Sequence, residues 1–149
     1  MINSVSLNKL KEDLVFYKGY WTILFGSALN QDFIPERSDI DIAIITQKKD
    51  KIANVSIWES ILGYLPPNYD IKIFELLPLY IQIDIIKNYL VIFGDLLEIS
   101  EYFYYYRKLW KDMTIRINNN QFDSIQEKLE RINIRKKIRE LTYQSGNQF

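Results

Sequence analysis

Two short apolar runs, each stopping at small or acidic residues, organise the chain. Trp21 to Phe25 ends at Gly26-Ser27, and Ile40 to Ile45, rich in β-branched residues, is entered through Asp39. Runs of this length and composition predict buried strands. Tyr69 to Glu75 alternates apolar and polar and predicts a third strand; Val91 to Phe93, closed by Gly94-Asp95, predicts a short fourth. Between them the apolar spacing becomes helical. Leu7, Leu10 and Leu14 mark a helix in 6–17, Ile57, Ile61 and Leu65 one in 52–65 ended by Pro66-Pro67, and Pro78 opens another to about Lys87. Ile99, Tyr102, Phe103, Tyr106, Trp110, Met113 and Ile117 predict a helix over 98–117. Asn118-Asn119-Asn120 reads as its break, and Phe122, Ile125, Leu129 and Ile132 begin the next. The expected fold is α/β: a small mixed sheet with helices on one face over residues 1–97. Residues 98–149 form a C-terminal helical extension, either part of the same compact unit or a dimerisation element.

Composition narrows the chemistry. With 149 residues, 48% hydrophobic and 26% charged, a single domain with a real core is expected. The absence of Cys and His removes disulfides, the usual zinc sites, Cys or Ser-His catalysis and imidazole bases, leaving proton transfer to carboxylates, Lys, Tyr or water. No signal-peptide pattern or bilayer-length apolar run is present, so a cytoplasmic protein without a membrane is expected. Net charge is zero but uneven: residues 1–100 hold nine basic and thirteen acidic residues, and 101–149 hold ten and six. The basic positions Lys128, Arg131, Arg135, Lys136, Lys137 and Arg139 read as the solvated face of a docking or oligomerisation helix, which makes a homodimer the expectation and leaves nucleic acid open. The aromatic run Tyr102 to Tyr106 reads as packing surface rather than a base-stacking platform.

Candidate chemistry sits where the strands stop. A Gly after a strand lets backbone approach a ligand, and N–H groups of a helical turn starting there attract anions. Ser27 adds a hydroxyl for a phosphate oxygen. Side-chain alternation puts Asp39 and Asp41 on one strand face, with Ile40 and Ile42 on the other. Two such carboxylates repel unless a cation lies between them, and an all-oxygen site suits Mg²⁺.

Leu24-Phe25-Gly26-Ser27, a spacer of ten residues, and Ser38-Asp39-Ile40-Asp41-Ile42-Ala43-Ile44 together resemble the nucleotidyltransferase superfamily related to DNA polymerase β. The resemblance covers roughly residues 15–115. It implies a nucleotide site at Gly26, Ser27, Arg37 and Ser38, and two Mg²⁺ ions held by Asp39 and Asp41. Asp70, heading a strand some thirty residues on, is placed as the third carboxylate; Glu75 and Asp84 are secondary candidates. Many relatives carry an Arg a few residues after Gly-Ser, where this chain has Asn30, so Arg37 or a Lys from 48–51 becomes the candidate triphosphate partner. The small size resembles minimal nucleotidyltransferases paired with HEPN ribonucleases, which place AMP from ATP on a tyrosine of the partner as antitoxins. The resemblance thus implies transfer of a nucleoside monophosphate to a hydroxyl. Two alternatives stay open: a silent module that neutralises a partner by contact, and a small-molecule, antibiotic-modifying nucleotidyltransferase.

Overall fold

The computed structural model describes residues 4–30 and 39–146. Strands β1 (Trp21–Phe25), β2 (Ile40–Ile45), β3 (Tyr69–Ile73) and β4 (Leu90–Phe93) form one sheet in the order β3-β2-β1-β4. β1 pairs antiparallel with β2 and β4, while β2 and β3 run parallel, so the sheet is mixed. A parallel pair cannot be joined by a hairpin; here the crossover carries α2 (Lys51–Ile61). α1 (Ser4–Asp13) precedes the sheet, α3 (Leu79–Lys87) joins β3 to β4, and α4 (Leu96–Gly146) follows.

Strand alternation divides the interior into two cores. Leu24, Ile42, Ile44, Ile71 and Ile73 enter one with Leu10 of α1, Leu14 just after it and Ile61 of α2. Ile23, Ala43 and Ile45 enter the other with Ile83, Ile85 and Ile86 of α3 and Ile99, Phe103 and Tyr106 of α4. Helices therefore cover both faces, where one was expected. The physical reason lies in the strands: apart from Thr22 in β1 and Asp41 in β2, both are apolar at successive positions, the pattern of strands buried on both sides.

The third strand ends at Ile73, earlier than its alternation suggests. Phe74 turns into the second core, and Glu75, in the 3-10 turn Phe74–Leu76, folds its carboxylate over the end of β2. That carboxylate accepts from the Thr46 amide (3.2 Å), the Gln47 amide (2.8 Å) and the Tyr102 hydroxyl (2.9 Å). Glu75 is thus a clamp between β2, β3 and α4.

α4 is one helix of 51 residues and passes through Asn118-Asn119-Asn120 without interruption. Asn costs a helix well under about 1 kcal/mol per residue relative to Ala, far less than Pro, so three in a row do not end it. The compact unit extends through Trp110, and residues 111–149 form a second unit. In the first unit, Ile99 and Phe103 are fully buried. From Lys111 to Tyr143 every described side chain is exposed except that of Thr114, which is half-buried.

Candidate functional site

Of the described candidates, Asp41 and Asp70 lie on β2 and β3, Asp39 just before β2, and Gly26 and Ser27 just after β1, three neighbouring strands. Gly26 follows β1 directly and opens the 3-10 turn Gly26–Leu29, whose Ser27 carbonyl accepts from the Asn30 amide at 3.0 Å. Its φ of +78° lies in the left-handed region open to Gly, and a Cβ placed there would overlap the Asp41 carboxylate. The Gly-Ser turn is therefore seated against Asp41, with no room for a side chain between them. Asp41 is the register partner of Phe25 on β1 and of Asp70 on β3. The entry to these strands is fixed by the Ile40 amide donating to the Asn68 carbonyl at 2.9 Å. Asn68 takes φ +68°, a conformation that Asn tolerates better than most residues. The Tyr69 hydroxyl donates to Asp13 of α1 at 2.6 Å, anchoring the start of β3; burial, then Asp13, raises the tyrosine's pKa.

Electrostatics follow from this packing. Burial pushes the Asp41 carboxyl above the ordinary aspartate range, with the fields of Asp70 and Asp39 adding to the effect and Lys72 opposing it. Lys72 lies two residues beyond Asp70, on the same face of β3, with its Nζ 3.2 Å from Asp70 Oδ2. Asp39, exposed, precedes β2 by one residue.

Gly26, Asp41 and Asp70 are thus brought together, with Ser27 in the adjoining turn and Asp39 near enough to act on Asp41. Arg37 and Ser38 lie outside the described residues. The secondary candidates fall elsewhere: Glu75 is the clamp already described, and Asp84, on α3, is exposed and 3.7 Å from Lys87. Lys72, not among the sequence candidates, is brought beside Asp70 by its i+2 position on β3. Among the described residues, no three acidic side chains converge as a ready-made ligand set. The donor chemistry nonetheless fits a hard divalent cation: Asp39, Asp41 and Asp70 offer only carboxylate oxygens, and Asp41 and Asp70 carry mutual repulsion that a cation relieves. No described helix is long and apolar enough to cross a membrane.

Residues 8–96 match the family model described as polymerase beta, nucleotidyltransferase, more than half of the chain. The chain belongs to the polymerase β nucleotidyltransferase family. A relative in Methanocaldococcus jannaschii, assigned provisionally as a protein adenylyltransferase, is 48% identical over 112 residues, covering 75% of this chain and 86% of its own. Solved structures share the fold. One, a Shewanella oneidensis complex described as a tri-AMPylated HEPN toxin with its MNT antitoxin, aligns at TM-score 0.53 and 16% identity over 83% of this chain and 99% of the other. A second, described as a toxin-antitoxin with AMP-PNP, aligns at 0.56 and 18% over 80% and 98%. A third, a mutant MntA-HpeT toxin-antitoxin, aligns at 0.54 and 16% over 83% and 99%. At these identities the likeness is one of fold.

Proposed function

We propose that this nucleotidyltransferase moves AMP from Mg-ATP to a hydroxyl of a protein partner, and that the partner is a HEPN-type toxin which it silences. The observation that carries the transfer reaction is the seating of the Gly26-Ser27 turn against Asp41, itself in register with Asp70. That seating supports reading the turn as a phosphate-binding element beside a carboxylate pair. The protein acceptor is supported by the 48% identity to a relative named for protein adenylylation, and the toxin partner by the fold neighbours.

In this reading the Gly26 backbone and the Ser27 hydroxyl orient the triphosphate. Asp39 and Asp41 would hold two Mg²⁺ ions and Asp70 one of them. Bound Mg²⁺ supplies activation of the acceptor hydroxyl and charge neutralisation on the departing pyrophosphate. Asp70 also receives the hydroxyl proton, since the chain has no His for that task. Much of the rate enhancement then comes from alignment and fixed charge. The exposed apolar positions Ile125, Leu129, Ile132, Ile138 and Leu141 of α4 serve association, with the toxin or with a second copy.

The silent module is a second reading, favoured by one observation: Asp70 is paired with Lys72. Incubation with Mg²⁺ and each α-labelled NTP, with and without the protein encoded next door, separates the two. Label from ATP on the neighbour is expected. Stable association with no label on either protein, tRNA or a small-molecule hydroxyl acceptor would select the silent module and sink the enzyme.

A further inference from the structure

Lys72 stands in an unusual place for a surface lysine. β3 is the edge of the sheet, and on its face beside Asp41 the side chains are Asp70 and Lys72, with their charged groups 3.2 Å apart. Asp70 is in register with Asp41, and Lys72 with Ala43, so the ammonium sits at the rim of the carboxylate pair. Its field reaches Asp41 as well as Asp70. Both members of the ion pair remain about half exposed, at 45% and 42%, so the pair opens at little cost.

We propose that Lys72 is a positioning residue, the internal counterion of the metal-free site, which holds Asp70 until a divalent cation displaces it. This rests on the reading of Asp41 and Asp70 as metal ligands. The ammonium supplies the positive charge that the two facing carboxylates lack on their own. The Asp70 oxygen that faces Lys72 becomes available to a cation when that ion pair opens. Metal loading is then an exchange of one cation for another, and Lys72 sets its affinity.

The test uses the full-length, nucleotide-free protein and Mn²⁺ as probe, followed by electron paramagnetic resonance. A thermal melt in EDTA provides a second readout. Lys72→Met is expected to bind Mn²⁺ about two- to fivefold more tightly, the range set by the weak free energy of an exposed ion pair, and to melt lower in EDTA. Lys72→Arg keeps charge and pairing and is expected near wild type in both. Lys87→Met removes the same charge from the exposed pair with Asp84 and is expected to change neither. Equal Mn²⁺ affinity in wild type and Lys72→Met, or equal tightening by Lys72→Met and Lys87→Met, overturns the counterion role while leaving the metal site standing. Absence of Mn²⁺ binding in wild type and Lys72→Met alike overturns both.

Discussion

An aspartate pressed against a glycine backbone and facing another aspartate across a parallel strand pair burdens the fold that carries it. Burial and the neighbouring carboxylate raise the Asp41 pKa from 3.8, so the native state holds that proton more tightly than the unfolded chain. The associated stability is fully present below the unfolded value and is lost as pH rises through the higher folded one. Asp41→Asn is therefore expected to melt at or above the wild-type temperature at pH 7 in EDTA, to flatten the acid end of the stability profile, and to lose Mg-ATP binding by calorimetry. Unaltered Mg-ATP binding in this variant would remove Asp41 from the site. Asp70→Asn is expected to keep near-normal Mg-ATP affinity and lose roughly 10²- to 10⁴-fold in transfer rate, as removal of a positioned acid or base does. A wild-type rate would return the proton to another group. At this scale the placement of Gly26, Asp41 and Asp70 at neighbouring strand ends was legible in the sequence. Lys72 was not, because alternation puts a polar residue at every second position of an edge strand and does not say which one faces a carboxylate.

Among the elements, β3 shows how one carboxylate differs from another five residues away. Glu75 ties two amides at the end of β2 and a hydroxyl of α4 to one side chain. Glu75→Ala leaves those donors without their acceptor and is expected to cost about 1–3 kcal/mol of stability in a denaturant melt. Glu75→Gln is expected to transfer AMP like wild type; failure of that variant would move the site to this turn. Elements with a clear period or abrupt end emerged near their expected limits: β1 and β2 from their apolar runs, α3 from Pro78 and its dense stripe. α4 did not, since Asn-Asn-Asn suggests a turn by composition but contains neither the missing donor of Pro nor the backbone freedom of Gly. Its first turns are core. Ending the chain after Leu97 removes Ile99, Phe103 and Tyr106, together on the order of 5–9 kcal/mol of burial, comparable with a whole domain's ~5–15 kcal/mol. That fragment is expected not to fold, whereas a chain ending after Thr114 is expected to unfold cooperatively by circular dichroism. A folded fragment ending at Leu97 would place α4 outside the core.

For the whole molecule, zero net charge conceals an acidic part that carries the candidate site and a basic helical part with exposed apolar positions. Such a division suits a protein that meets nucleotide at one region and another macromolecule at a second. The sheet order adds a constraint on synthesis. β1 lies between β2 and β4, so the strand that carries Gly26 is completed on its other edge only when residues 90–93 arrive, and Asp41 meets Asp70 only after the whole crossover has been made. A nascent chain that has left the ribosome as far as α2 has its glycine turn and first two carboxylates but nothing opposite them, and long-range pairing of this kind forms slowly. On the proposed reading, a nucleotide that needs Gly26, Asp41 and Asp70 together binds only after β3 has paired, and its binding then draws the sheet, rather than a local loop, toward the folded state.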